Sequence, residues 1–381
     1  METASLIAQE GSILALFRIH DELSRTDVIE KSGLSRSTVN QRLTELSDAS
    51  LIVPVSGGES TGGRPSSRFR FNKERAYVLA VDIGATSIVV ATCDLAGNPV
   101  SSVTRKINVW EGPEAVLTEV DGSIAELSIE KEIWAVSVGV PGPVEFAARR
   151  VVKPPIMTGW DGFNIDSWFA SRFDAPVTVE NDANARAVAE SRTLGVDNLV
   201  SLKLGTGIGA GLVFNGIIIR GEKGAAGDIG HTRALTTNND GRVCRCGNLD
   251  CVEAYAGGWA IQRDLNDAGT PVESLRDIVT LVQKGDISTI QVVRGAGRVI
   301  GDAIADLVSI LNPGTIVLTG QLAECGEVLM SGIRERVYQH TVPLATSDLK
   351  ITTSVLGDMA GVIGLALIAS DDLLSKHPSA G

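Results

Sequence analysis

Aromatic residues, cysteines and long apolar runs are all scarce in this chain of 381 residues. Aromatic side chains make up 4% of the residues, and there are five cysteines. An odd cysteine count argues against a disulfide framework and favours a reducing compartment. No apolar stretch reaches about 18 residues without a charge, and no basic segment followed by an apolar run opens the chain. We therefore expect neither a membrane span nor a signal peptide, and a cytoplasmic protein.

Basic residues are also in deficit, because the net charge at pH 7 is −12. An acidic chain is unusual for a protein that binds nucleic acid. The basic residues are unevenly placed, however: the segment 31–73 holds seven basic and three acidic side chains, a local charge of +4. A basic module on an acidic body is typical of a protein that binds DNA through one face.

Three helices are predicted near residues 5–20, 25–31 and 36–46 from the spacing of their apolar residues. Gly33 can supply the positive φ of a tight turn, and Ser35 can cap the helix that follows. This layout is typical of a helix-turn-helix, whose second helix enters the major groove of DNA. A three-helix packing module with a solvated polar face is the alternative interpretation. The side chains that we predict to contact DNA are Ser35, Arg36, Ser37, Thr38, Asn40, Gln41 and Arg42.

Their chemistry divides these candidates by role. Arg36, Asn40 and Gln41 carry the guanidinium and amide groups that read base edges. Ser37 and Arg42 are assigned to phosphates. Residues 54–67 are rich in Gly, Ser and Pro and lie between two short β-rich runs, which predicts a β-hairpin wing. Arg64, at the tip of that wing, is predicted to enter a minor groove.

From residue 76 onward, β-rich runs alternate with helical stretches, which indicates an α/β body. Segments 78–98 and 200–216 share one order of strand, Gly-rich turn, strand and Gly turn, so two similar lobes are expected. Gly-rich turns between strands let backbone N–H groups approach a phosphate, although a plain tight turn fits equally well. The candidate phosphate-binding residues, regarded as vestigial, are Asp82, Gly84, Thr86, Gly205, Thr206 and Gly207.

A second polar cluster follows the apolar strand near 177–179. Asp182 could take a proton from a sugar hydroxyl, and Asn181 could bond neighbouring hydroxyls. A helix N-cap is the alternative interpretation of these two residues.

A metal site is predicted by His231 together with three cysteines that fall within eight residues of one another. One histidine and three cysteines can close a tetrahedral Zn²⁺ site with no open position, which is the pattern of a structural ion. The predicted ligands are His231, Cys244, Cys246 and Cys251. Cys93 and Cys325 are interpreted as small buried apolar residues.

Six ordered motifs resemble those of the ROK family of repressors, open reading frames and kinases, over roughly residues 76–370: DIGATS, SVGVPGPV, VENDANARAVAE, LGTGIGAGLVFNG, GAAGDIGHT and CRCGNLDCVEAYAG. The helix-turn-helix with its GGRP wing resembles the extension of the family's repressors. The resemblance implies a winged helix-turn-helix followed by a two-lobed, actin-like (ribonuclease H-like) ATPase or sugar-kinase fold. The implied domains are residues 1–75, a first α/β lobe at 76–190, and a second lobe at 191–381 with the zinc site and the C-terminal helices.

The resemblance also implies a sugar in the cleft between the lobes, bound by Asn181, Asp182, Asp228, His231 and Glu253. Asp228 stands where family kinases usually have Glu. Ala85, Ser87 and Gln321 depart from the kinase pattern at positions near the nucleotide. The body is therefore predicted to be non-catalytic, with Asp182 as the base if it is a kinase.

Together these features predict a sugar-responsive, DNA-binding repressor of carbohydrate genes, acting as a homodimer or homotetramer. Sugar binding would change the angle between lobes and hence the spacing of two DNA-reading helices. Two alternatives remain at this stage. One is an active ATP-dependent sugar kinase that also binds DNA. The other is a regulator that responds to a partner protein.

Overall fold

The polypeptide is described by a computed structural model over residues 13–55, 68–235 and 240–375. The predicted wing tip with Arg64 and the beginning of the first predicted helix lie outside these ranges. Within them, a small N-terminal domain is followed by two α/β lobes. Among the helices in the described ranges, none combines the length and apolar character that crossing a bilayer requires.

The N-terminal domain contains three helices and a three-stranded antiparallel sheet of order β1-β3-β2. Ser24 and Asp27 form a capping box, Gly33 (φ 66°) ends the second helix, and Ser35 caps the third. The predicted helices and wing strands are therefore present, and one short strand was not predicted. The elements are α1 (Ile13–Ile19), β1 (Leu23–Ser24), α2 (Arg25–Ser32), α3 (Arg36–Asp48), β2 (Ile52–Pro54) and β3 (Arg68–Phe71).

The first lobe is built on a five-stranded sheet of order β10-β7-β4-β5-β6. Strands β4 and β5 form an antiparallel hairpin, and β7 and β10 run parallel to β4. Its elements are β4 (Tyr77–Ile83), β5 (Ser87–Asp94), β6 (Pro99–Lys106), α4 (Pro113–Glu126), β7 (Ile133–Val140), β8 (Val144–Glu145), β9 (Arg150–Val151), α5 (Ile165–Ala170), β10 (Val177–Asn181) and α6 (Asp182–Leu194).

The second lobe repeats this arrangement with the order β13-β12-β11-β14-β15. Again a hairpin is followed by two strands parallel to its first strand. The remaining elements are β11 (Leu199–Leu204), β12 (Ile208–Phe214), β13 (Ile217–Ile218), α7 (Val252–Ala256), α8 (Gly258–Asp267), α9 (Leu275–Gln283), α10 (Ile287–Leu311), β14 (Thr315–Thr319), α11 (Glu327–His340), α12 (Pro343–Thr346), β15 (Lys350–Thr353) and α13 (Ala360–Ser375).

The shared topology of the two sheets accounts for the repeated hairpin pattern seen in the sequence. Five strands of these lobes were not predicted, namely β6, β8, β9, β13 and β15. Strands β6, β13 and β15 lie at a sheet edge, and β8 and β9 form a separate two-stranded sheet. Most side chains of β6 and β15 are exposed or half-buried, so neither of these two strands carries an apolar run.

The C-terminal helix α13 packs against the first sheet, although the sequence-based division placed it with the second lobe. Val362 and Leu365 of α13 share one apolar cluster with Val78 and Ala80 of β4. The same cluster continues into the core of the N-terminal domain, where it includes Phe17. The helix therefore joins the first lobe to the N-terminal domain.

Candidate functional site

One histidine and three cysteines meet at the edge of the second lobe. The ligand atoms of His231, Cys244, Cys246 and Cys251 all lie within 4.8 Å of one another. Two Sγ atoms, those of Cys246 and Cys251, are 3.7 Å apart, and Cys244 Sγ lies 3.5 Å from His231 Nδ1. A tetrahedral Zn²⁺ with Zn–S bonds of about 2.3 Å requires S···S distances of roughly 3.8 Å. The donor set and its spacing therefore fit a closed zinc site.

Two thiols of this cluster, those of Cys244 and Cys251, are buried, and that of Cys246 is half-buried. Burial raises the pKa of both Cys244 and Cys251 above the ordinary thiol value. A thiol must lose its proton to bind a metal, so loading of this cluster would release protons.

The ring of His231 lies between the cysteine cluster on one side and Asp228 on the other. Its Nδ1 points to Cys244, whereas Nε2 lies 4.0 Å from Oδ1 of Asp228, whose side chain is 51% exposed. The segment that holds both residues packs closely on β12. A Cβ on Gly227 would lie 1.9 Å from the carbonyl oxygen of Ala210, so only glycine fits there.

Glu253, near the start of α7, is buried and already hydrogen-bonded. Its Oε2 accepts from the backbone N–H of Ile208 (3.0 Å), and its Oε1 accepts from Nε1 of Trp259 (3.1 Å). A Cβ on Gly207 would lie 2.4 Å from this carboxylate. The glycine in the second Gly-rich turn therefore makes room for Glu253.

Several backbone groups of that turn also have partners. The carbonyl oxygens of Gly205 and Thr206 accept from the N–H groups of Gly258 and Trp259 at the start of α8. In the first turn, the N–H of Gly84 donates to the carbonyl of Ser87. These hydrogen bonds are compatible with the tight-turn interpretation, and phosphate binding at the two turns stays a prediction.

Asn181 acts as the N-cap of α6. Its Oδ1 accepts from the N–H groups of Ala183 (3.0 Å) and Asn184 (3.3 Å), and its Nδ2 donates to the carbonyl of Gly142 (3.0 Å). The capping interpretation is thus satisfied, and one Nδ2 proton is left for a ligand. Asp182, the next residue, is buried and contacts the ammonium group of Lys203 on β11.

Asp82, at the end of β4, is enclosed on every described side. Its Oδ2 accepts from Arg186 of α6 at 2.8 Å, and both side chains are buried. A Cβ on Gly361 would lie 1.9 Å from Oδ2, and one on Gly139 would lie 3.3 Å from Oδ1. Burial raises the pKa of Asp82, while the neighbouring Arg186 guanidinium acts to lower it. A carboxylate packed this closely has no room for a hydrated Mg²⁺.

Three cationic side chains that pair with buried carboxylates were missed by sequence reasoning: Arg186, Lys203 and Arg220. Arg220 donates to buried Glu180 at 2.7 Å and stacks on Phe146. Each of these cations pairs with a carboxylate at least 21 positions away in the chain. Because the partners are so far apart in the chain, the spacing of residues in the sequence does not predict such pairs.

The predicted DNA-reading face lies along the first turns of α3. Ser35, Arg36, Ser37 and Gln41 are exposed, whereas Thr38, Asn40 and Arg42 are half-buried. Several of these side chains bond within the domain. Asn40 accepts a hydrogen bond from Arg25 at 3.0 Å. Gln41 donates a hydrogen bond to Glu45, and Arg42 forms an ion pair with the same carboxylate. Arg36 forms no hydrogen bond or ion pair with any residue of the described ranges.

A comparison with known proteins identifies the family of this chain. Residues 78–372 match the ROK family. The chain belongs to the ROK family. The prediction of that family and of its two-lobed α/β body is therefore confirmed.

Relatives differ in how much of this chain they match. The xylose repressor of Bacillus spizizenii is 27% identical over 92% of this chain and 92% of its own length. A solved ROK family transcriptional regulator, homologous to the E. coli MLC protein, is 25% identical with a TM-score of 0.79 over 98% of both chains. A ROK glucokinase from Streptomyces griseus, solved with glucose and AMPPNP, is 27% identical with a TM-score of 0.68 and covers 77% of this chain and 99% of its own. The regulators thus match nearly the whole of this ROK protein, whereas the glucokinase leaves almost a quarter of it unmatched.

The contribution of the Asp82–Arg186 pair to the stability of the protein can be tested by substitution. Arg186→Met leaves the Asp82 carboxylate buried without its counter-charge, which should lower the free energy of unfolding at pH 7 by about 3–5 kcal/mol. A carboxyl whose pKa is higher in the folded than in the unfolded protein destabilises the fold as the pH rises above its pKa in the unfolded chain. The destabilisation caused by Arg186→Met should therefore shrink as the pH falls towards about 4. Urea denaturation at both pH values measures this difference.

Arg105→Met is the matched control, because Arg105 pairs with the exposed carboxylates Glu119 and Glu126. It should leave stability nearly unchanged at either pH. Equal effects of the two substitutions would contradict the special role of the buried pair.

Proposed function

We propose that this ROK protein is a transcriptional repressor whose affinity for operator DNA changes when a sugar binds between its lobes. The observation that carries the proposal is the near-complete match to the xylose repressor and to the ROK regulator, which spans the N-terminal domain as well as the body. The exposed start of α3, with Arg36, is the surface that would enter the major groove. Carbohydrate genes are the expected targets.

The sugar site of this proposal would lie beside β12, on which the start of α6, α7 and the segment of His231 all pack. Asp228 supplies an exposed carboxylate, and His231 supplies Nε2 on its cleft side. Glu253 and Asp182 are buried carboxylates that already have partners, so they would exchange or share hydrogen bonds with hydroxyls. Asn181 contributes its remaining amide proton.

We propose further that the body does not transfer phosphate. A kinase needs a carboxylate free to hold Mg²⁺ and a second one free to accept a proton from the sugar. Here Arg186 neutralises Asp82 inside a closed pocket, and Lys203 contacts Asp182. Each carboxylate thus has a cation from the chain itself, in competition with a metal or a hydroxyl.

A structural zinc is the cofactor that we propose for His231, Cys244, Cys246 and Cys251. Four protein ligands leave no open position, so the ion would cross-link the segment before α7 rather than activate water. In doing so it would hold Nδ1 of His231 and leave Nε2 directed at Asp228 and the cleft.

The proposed mechanism requires an oligomer, which presents more than one copy of α3 to the operator. Two copies of α3 in a homodimer, or four in a homotetramer, would read operator half-sites about one helical turn or a multiple apart. A sugar that favours one lobe arrangement would shift the spacing of the two helices and so change affinity, typically about 5–150-fold.

An active sugar kinase that also binds DNA is the second candidate. The likeness to the Streptomyces griseus glucokinase favours it, and so does the retained Asp182. ADP release with ATP, Mg²⁺ and a panel of sugars distinguishes the two. Turnover that Asp182→Asn abolishes would establish the kinase and refute the non-catalytic proposal.

Operator affinity in the presence of sugars tests the main proposal. Fluorescence anisotropy with DNA from the promoter of the chain's own gene should give a Kd that changes about 5–150-fold with one member of a panel that includes D-xylose and D-glucose. Asp228→Asn removes an exposed charge that faces the cleft, so it should weaken that response without lowering the melting temperature.

The matched control for this test is Asp240→Asn. Like Asp228, Asp240 is a half-exposed aspartate with a basic side chain 4.0 Å away, in this case Arg242. It should respond to the sugar like the wild type. A wild type whose DNA affinity ignores every sugar in the panel would refute the proposal and favour a partner protein as the signal.

Arg36 gives a second test, on the DNA side. Arg36→Ala should weaken specific operator binding by about 1–3 kcal/mol if the guanidinium reads a base. Arg36→Lys keeps the charge but loses the two-pronged donor, so it should reduce discrimination between operator and random DNA while preserving the salt dependence. Operator affinity unchanged in Arg36→Ala would remove this residue from the reading face.

The zinc proposal predicts the effect of removing one ligand. Cys246→Ala should reduce bound zinc from about one ion per chain to none, and lower the melting temperature, because three ligands no longer close the site. Metal analysis by mass spectrometry and a thermal scan measure both. Cys325→Ala, at a buried cysteine outside the cluster, should retain the zinc; its loss there would show that zinc binding reports general instability.

A further inference from the structure

Two parallel helices run from the candidate sugar site to the N-terminal domain. Helix α6 begins at Asp182 of that site, and α13 begins next to Asp82, where Gly361 contacts the carboxylate. The two helices touch at Gly364 and Ala185 and again at Asp371 and Arg192. Both contacts have the same sequence offset of 179 (364 − 185 and 371 − 192), so the helices are parallel and in register.

The first contact prevents the helices from sliding past one another. A Cβ on Gly364 would lie only 1.7 Å from the carbonyl oxygen of Ala185, so the two backbones are in direct contact. Seven residues further along, about 10 Å at the rise of an α-helix, the second contact is an ion pair. A displacement of the start of α6 is therefore carried to its end, together with α13.

At that far end, the carboxylate of Asp371 binds two arginines from different parts of the molecule. Oδ2 accepts from Arg192 of α6 at 2.8 Å, and Oδ1 accepts from Arg18 of α1 at 2.6 Å. The side chain of Arg18 is only 10% exposed, and that of Asp371 is 32% exposed. Partly buried, charge-assisted hydrogen bonds of this length are among the stronger ones in proteins.

Helix α1 is the part of the N-terminal domain on which α2, α3 and β3 pack. Anchoring α1 therefore fixes the direction of α3, the proposed reading helix. We propose that Asp371 is the positioning residue through which α6, which begins at the sugar site, and its partner helix α13 set the orientation of the DNA-binding domain. The proposal rests on the sugar-responsive function above and adds the place where the response passes from body to DNA-binding domain.

Asp371→Asn tests the proposal in the full-length protein, because it keeps the shape of the side chain and removes its charge. The ratio of operator Kd with and without D-xylose, D-glucose or whichever panel sugar acts on the wild type should fall towards one, by roughly fivefold or more. The affinity for the sugar itself, measured by calorimetry, should stay the same, which a general loss of structure would not allow. Asp371→Glu should restore part of the response.

Hydrogen exchange supplies a readout that requires neither sugar nor DNA. Amides of α1 should exchange roughly tenfold faster in Asp371→Asn, while amides of β4 and β11 keep wild-type rates. Arg18→Gln should reproduce this effect, and the double substitution should add little to either single one, since both break the same bond. Asp267→Asn, with the same charge change at an exposed position of α8 in the second lobe, is the control and should leave the exchange of α1 unchanged.

Unchanged exchange in α1, or a full sugar response in Asp371→Asn, would overturn the assignment of Asp371. A wild type that ignores every sugar would instead refute the proposed function, and the exchange experiment would still decide whether Asp371 anchors the DNA-binding domain.

Discussion

The buried ion pair of Asp82 and Arg186 is the interaction on which the arrangement of the body depends. It joins β4 of the first sheet to α6, and Gly361 brings α13 against the same carboxylate. Three elements thus meet at one charge that water does not reach. Because an unpaired carboxylate there would be very costly, the position of α6 relative to the sheet is strongly fixed. The parallel packing of α6 and α13 follows from that constraint.

The same pair supports the proposal that this body does not transfer phosphate. The two lobes keep the repeated hairpins and Gly-rich turns of the fold. In this chain two candidate carboxylates already have partners: Glu253 accepts from the N–H of Ile208, and Asp82 accepts from Arg186. Under the proposed function, sugar binding would change the lobe arrangement without phosphate transfer.

Sequence patterns predicted those parts of the molecule that depend on near neighbours in the chain. The cysteines of the metal cluster lie within eight residues, the caps of the reading helix lie within a few, and both arrangements are present. Apolar periodicity located the central strands but missed edge strands β6 and β15. The ion pairs escaped prediction because their partners are far apart in sequence, 104 positions for Asp82 and Arg186 and 353 for Arg18 and Asp371. The membership of α13 in the first lobe escaped for the same reason.

Long-range pairs of this kind connect the two halves of the function. A helix that starts at a ligand site and ends at another domain transmits motion only if it is held at both ends and cannot slide in between. Asn181 caps one end of α6, the glycine contact with α13 blocks sliding, and Asp371 holds the far end. Small residues at the contact are essential, since any side chain on Gly364 would separate the helices. In the proposed mechanism the coupling therefore resides in the packing of these two helices. A body with the same sugar-site residues but a more loosely packed α13 would then bind its sugar without changing the orientation of the DNA-binding domain.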